Sequence, residues 1–184
     1  MDISVVVATR NRSEYLRTTL ETITRQSLSP QSYEIIVVDN GSSDNTRNVV
    51  LDVQSSCPNV RYAVEMVPGL SSARNTGIQQ SGGEVICFVD DDIMADFHYL
   101  EYLLAAFRAN SDVEAVGGRV LPFSKEPIPA HLIDLPSLST TMDYGETPFY
   151  FNDVPGSFPF GVSMAFRKEV FTRCGLFKVG FGRT

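Results

Sequence analysis

The sequence predicts an α/β domain in which a mostly parallel central sheet is flanked by helices. Three observations carry that prediction. Four short, near-continuous apolar runs, at 3–8, 33–38, 60–64 and 85–89, have the composition of strands, most of them buried on both faces. Stretches of helical period separate them, long enough for right-handed crossovers. The first, second and fourth runs stop in polar clusters, as strands do where they reach the ligand-binding edge of an open sheet.

Ile3 to Ala8 is the first strand, closing at Thr9-Arg10-Asn11-Arg12. A helix follows at once: Asn11 caps it, Glu14 returns the bond, and Leu16, Leu20 and Ile23 form its buried face before a stop at Ser29-Pro30. Tyr33 to Val38 is the second strand and runs into Asp39-Asn40-Gly41-Ser42-Ser43-Asp44-Asn45-Thr46. That cluster requires a turn, and Ser43 or Asp44 can cap a helix carrying Val49, Val50 and Val53. Val60 to Val64 is a short third strand. Pro68-Gly69 then turns into a helix whose Ala73 and Gly77, four apart, permit close packing on the sheet.

The fourth strand, Val85-Ile86-Cys87-Phe88-Val89, ends abruptly in Asp90-Asp91-Asp92. Leu100, Leu103, Leu104 and Phe107 mark one face of a helix over 97–109. A further strand covers 115–121, with Gly117-Gly118 allowing a bulge or close backbone approach. From 122 to 159 the period is lost in a Pro-, Ser- and aromatic-rich segment of the kind that serves as a functional loop, with a short edge strand at 149–151. Regularity returns at 160–166, followed by a short helix over 167–174 that Gly175 stops.

With 184 residues the chain suits one domain. Its net charge of −7 argues against a nucleic-acid partner, which needs a basic surface. The three cysteines, Cys57, Cys87 and Cys174, share no pairing or zinc-site spacing; they suggest reduced thiols and a cytoplasmic location. No signal peptide or spanning segment is recognisable, and peripheral contact with the inner face of a membrane stays open.

Three polar clusters thus gather on one sheet edge. Three adjacent carboxylates beside a buried strand repel one another unless a cation compensates, and an all-oxygen donor set suits Mg²⁺ or Mn²⁺ at a nucleotide diphosphate. Asp39 can accept from a base N–H or simply form a turn. Arg12 or Arg74 can bond a base carbonyl or a phosphate, or stand in solvent. For Ser42, Ser43, Asp44 and Thr46 the capping role is the better reading.

Four segments carry a resemblance: Thr9-Arg10-Asn11-Arg12, Val37 to Thr46, Gly69-Leu70-Ser71-Ser72-Ala73-Arg74-Asn75-Thr76-Gly77, and Phe88 to Asp92. In this order and at these positions they resemble the successive motifs of family 2 glycosyltransferases with the GT-A fold. The resemblance implies a UDP- or GDP-linked sugar donor held with Mn²⁺ or Mg²⁺. Thr9 and Arg12 would line the base pocket, Asp39 bond the base, Arg74 reach the nucleotide and Asp90 the ribose. The metal would fall to Asp91 or Asp92, with Asp91 favoured by its spacing to a helix start at Asp96-Phe97. Phe160 to Arg167 resembles the acceptor-side strand, with Gly161 and Ser163 facing an acceptor; the family commonly has Asn where Ser163 stands.

On this reading residues 1–121 are the donor-binding half, and 122–184 an acceptor-side segment of the same domain that is incomplete at its C-terminal end. The family's catalytic base is an Asp in an acidic pair past a Gly-Arg segment, here Gly182-Arg183, so it is expected beyond Thr184. The acceptor would be a glycan, a lipid-linked sugar or another hydroxyl compound. Two alternatives remain: a donor-binding module without transfer activity, and a nucleotidyltransferase, which would release pyrophosphate.

Overall fold

The structure is a computed structural model that describes residues 1–121, 145, 147, 149–153 and 159–180. Strands β1 (Ile3–Thr9), β2 (Tyr33–Asp39), β3 (Val60–Val64), β4 (Val85–Val89), β5 (Ala115–Gly117) and β6 (Ser163–Arg167) form one sheet in the order β3-β2-β1-β4-β6-β5. The pairs β3–β2, β2–β1 and β1–β4 are parallel, whereas β6 is antiparallel to both neighbours. Helices α1 (Ser13–Ile23), α2 (Thr46–Ser56) and α4 (Tyr99–Ala109) supply one core with the sheet, including Leu16, Leu20, Val50 and Leu100. On the other face α3 (Leu70–Gln80) and α5 (Lys168–Cys174) pack over Val6, Ile36, Phe88 and Met164.

Burial on both faces follows from the composition: every residue of β2 and β4 is buried. At α3 the fit is tight. A Cβ on Gly77 would collide with the methyl groups of Val6, so the absent side chain is what lets the helix lie on β1.

Five local expectations need correction. Helix α1 is not capped by Asn11, which adopts φ 54°; its first N–H, at Ser13, donates instead to Asp44 Oδ2 at 3.0 Å. The helix also stops well before Pro30. Thr22 and Thr24 turn their hydroxyls back onto the carbonyls of Thr19 and Leu20, which competes with continuation of the backbone ladder. Helix α4 begins at Tyr99 rather than Phe97, because Asp96 Oδ1 takes the His98 N–H in a local turn. Residues 149–151 form no strand: Phe151–Asp153 is a 3₁₀ turn, as expected where Asn152-Asp153 favour tight turns. Strand β5 ends at Gly117 rather than running to 121; the Gly118 N–H that follows is shared between the Ser163 carbonyl, at 3.3 Å, and its hydroxyl, at 3.1 Å. The remainder of the irregular segment, and Gly182-Arg183-Thr184, lie outside the described residues.

Candidate active site

The parallel register sets the site. Thr9 pairs with Asp39, and Asp39 with Val64, so the ends of β1, β2 and β3 are level. Strand β4 runs beside β1 with Val7 opposite Val89, which puts Asp90, Asp91 and Asp92 just past Thr9 on the same edge. Residues eighty positions apart in the chain therefore meet. Thr9 Oγ1 donates to Asp91 Oδ2 at 2.6 Å, Arg12 Nε lies 3.4 Å from Asp91 Oδ1, and Arg12 Nη2 reaches Asp92 Oδ2 at 2.5 Å. Burial works against the charge on Arg12, but the two carboxylates outweigh it and raise its pKa.

The two aspartates are not equivalent. Asp91 is 5% exposed, and burial raises its pKa against the opposing Thr9 bond and Arg12 charge. Both of its oxygens are engaged. The Asp92 side chain is 40% exposed and, among the described residues, meets a partner at Oδ2 alone. No group of three or more His, Cys, Asp or Glu side chains among the described residues is already arranged around a common cation position. The chemistry of the donor set still suits a hard divalent cation, since it offers carboxylate oxygens only.

Asp39 is buried at the tip of β2. Its Oδ1 accepts the Ser42 N–H and its Oδ2 the Tyr62 hydroxyl, each at 2.7 Å. Two loops are stitched together in front of it: Asn11 N donates to Ser42 Oγ at 2.9 Å, and Ser43 N to Asn11 Oδ1 at 2.7 Å. Asn40 anchors the far wall, donating to the carbonyls of Glu65 and Val67 and accepting from Gly69 N.

Arg74 belongs to the same edge but faces the acceptor-side strand. Its guanidinium lies over the rings of Phe88 and Phe177, 5.8 Å from each centroid. It donates to the Gly161 carbonyl at 3.2 Å and lies 3.7 Å from Asp90 Oδ1. Burial lowers its pKa, and the Asp90 charge opposes that effect. Gly161 is thus placed against Arg74 rather than standing alone. Ser163 sits elsewhere: its hydroxyl is buried, 2.8 Å from Tyr99 OH, and accepts from Gly118 N at 3.1 Å.

Sequence reasoning missed Tyr62, Tyr99 and Asn40, and gave Asn11 a capping role in place of the one it has in joining two loops. Tyr62 had a readable signal, an aromatic two residues before the end of a strand adjacent to Asp39. Tyr99 had none, since its partners Cys87 and Ser163 are remote in sequence.

Comparison with known proteins agrees with this geometry. Residues 4–175 match the family described as Glycosyl transferase family 2. Glycosyltransferase AglE of Haloferax volcanii is 33% identical over 119 residues, 64% of this chain and 39% of its own. Among solved structures, Staphylococcus aureus TarS 1-349 superposes with TM-score 0.72 at 18% identity, covering 100% of this chain and 52% of the TarS 1-349 chain. The mannosyltransferase PcManGT of Pyrobaculum calidifontis, solved with GDP-Man and Mn²⁺, gives TM-score 0.70 at 22% identity over 97% of this chain and 48% of its own. The chain therefore spans less than two thirds of these relatives' length. At such identities the structural likeness establishes the GT-A fold, and the family match across nearly the whole chain establishes descent: the protein belongs to glycosyl transferase family 2.

Proposed function

We propose that the chain forms the donor-binding part of an inverting glycosyltransferase, which moves a sugar from a UDP- or GDP-linked donor to an acceptor hydroxyl. The observation that carries this reading is the meeting of Asp39, Arg12, Asp91 and Asp92 at one edge of the parallel strands, with Arg74 and Asp90 beside them. PcManGT, solved with GDP-Man and Mn²⁺, supports the ligand class. Asp39 accepts an N–H from the base, while Thr9 and Arg12 wall the pocket. Asp90 accepts from the ribose hydroxyls, and Arg74 offers a charge-assisted bond to the nucleotide.

Asp92 would hold Mn²⁺ or Mg²⁺. Its exposure, and an Oδ1 with no partner among the described residues, favour it over Asp91, whose burial suits it to fixing Thr9 and Arg12 in place. Bound there, such an ion neutralises charge on the departing diphosphate. The acceptor hydroxyl, on a glycan, a lipid-linked sugar or another compound, would lose its proton to a carboxylate outside the described residues.

Thermal melts with UDP-sugars and GDP-sugars, with and without Mn²⁺, test the reading. One class of donor should raise the melting temperature, more so with the metal. Asp92→Ala should abolish the metal-dependent increment while retaining a metal-free nucleotide shift. Absence of any shift, or release of pyrophosphate from a nucleoside triphosphate and a sugar phosphate, would overturn it.

A further inference from the structure

Asp39 is approached in this structure by donors alone. The residue is 4% exposed, and each carboxylate oxygen takes one bond, Oδ1 from the Ser42 N–H and Oδ2 from the Tyr62 hydroxyl. Tyr62 reaches it because β2 and β3 pair Val37 with Tyr62 and Asp39 with Val64. The tyrosine is therefore diagonal to Asp39 on the same face of the sheet, a separation that an aromatic side chain spans. Burial first, and then the bond to Asp39, push the phenol up to about 12, so it remains a donor at neutral pH.

An ionised carboxylate only accepts, with two lone-pair directions at each oxygen. One at each is filled from within the protein. What is left for a ligand is acceptor capacity held in a fixed orientation.

We propose that Tyr62 is a specificity-determining positioning residue: it holds the Asp39 carboxylate so that the pocket selects nucleobases presenting a ring N–H, uracil or guanine, over those presenting a bare ring nitrogen, cytosine or adenine. This inference rests on the donor-pocket reading above. Uracil offers N3–H, and guanine offers N1–H beside its amino group. Cytosine N3 and adenine N1 would set a lone pair against a lone pair, and a mismatch of that kind in a desolvated site discriminates strongly. Without the hydroxyl, Ser42 is the one anchor left to Asp39 among the described residues, and the terminal torsion of an Asp side chain is broad. Affinity for the donor-bearing bases and the preference for them then fall together.

Calorimetric titration of UDP, GDP, CDP and ADP, each with Mn²⁺, into the wild-type chain and Tyr62→Phe tests the proposal. Phenylalanine preserves the ring packing, which matching melting temperatures would verify. Wild type should prefer UDP or GDP. Tyr62→Phe should lose about tenfold in affinity for the preferred nucleotide, the scale of one hydrogen bond to a charged group, while its affinity for CDP and ADP holds, so the ratio narrows. An unchanged ratio, or an equal loss for all four, overturns the proposal. If the variant does not fold, wild type carries a second arm: N3-methyl-UDP or N1-methyl-GDP, lacking the ring donor, should bind roughly tenfold or more weakly than its parent, and equal binding overturns the proposal. A wild-type chain that binds none of the four nucleotides overturns the donor-pocket reading itself.

Discussion

Asp44 shows how one side chain can organise two loops. Its Oδ1 accepts from both the backbone N–H and the hydroxyl of Thr46 at the start of α2, and its Oδ2 accepts from Ser13 N at the start of α1. Both helices thus begin on one carboxylate. Its slight burial opposes ionisation, but the bonds from Thr46 and Ser13 prevail and hold the carboxyl at about 2, below its ordinary 3.8. A depressed carboxylate stabilises the fold fully above its ordinary value and ceases to do so as pH falls through about 2. Asp44→Asn turns one accepting oxygen into a donor and should therefore cost roughly 1 kcal/mol at pH 7, the size of one lost hydrogen bond. The difference from wild type should shrink as pH is lowered from about 4 toward 2, which urea melts at a series of pH values would measure. A cost that stays constant across that range would show that the charge is irrelevant. Sequence reasoning offered Ser43 or Asp44 as the cap of α2, and the bonds to Thr46 come from Asp44. Its second bond, to Ser13, was illegible because it depends on β1 and β2 ending level.

Helices and strands were more legible than their ends. The buried faces of α1 and α4 followed from apolar spacing, since burial selects residue type directly. The ends did not, because Thr22, Thr24 and Asp96 terminate or delay helices through hydrogen bonds that periodicity does not record. The same limit applies to the site. The acidic run and Asp39 stood out because charge at a buried strand end is unusual, but the division of labour between Asp91 and Asp92 is set by the side chains that each one meets. For α3 the small-residue spacing identified the packing face, and the structure supplies its partner, Val6. Gly77→Ala improves intrinsic helix propensity by about 1 kcal/mol, yet its methyl must displace α3 from β1, an overpacking cost of about 1–3 kcal/mol. The net should be destabilising in chemical denaturation. Adding Val6→Ala should recover part of the Gly77→Ala loss, so that the double variant is less damaged than the sum of the singles. Strict additivity would mean that the two side chains do not meet.

At the scale of the molecule, the second half of the chain is built into the first. Strand β6 lies inside the sheet, bonded to β4 along Val85–Val89 and to β5 on its other side. The segment after α5 returns across α3, where Asn75 closes a reciprocal pair with Phe177: Asn75 Nδ2 donates to the Phe177 carbonyl at 2.8 Å, and Phe177 N donates to Asn75 Oδ1 at 2.9 Å. That clamp brings the Phe177 ring to 5.4 Å from Phe88, edge-on, and over the Arg74 guanidinium. Arg74 in turn touches Asp90 on one side and Gly161 on the other, so the posture of a proposed nucleotide contact depends on a residue 103 positions later in the sequence. Removing the clamp should loosen this connection before it unfolds the sheet, because the larger core, between the sheet and helices α1, α2 and α4, does not include it. Asn75→Ala should accelerate chymotryptic cleavage at Phe177 several-fold, with a loss of only about 1–3 kcal/mol in global stability for two hydrogen bonds. Nucleotide affinity should fall in step with the opening, since Arg74 loses one of its two aromatic walls. Cleavage at the wild-type rate would show that the aromatic contacts with Phe88 and Phe171 hold the segment by themselves, and that Asn75 adds nothing to the union of the two halves.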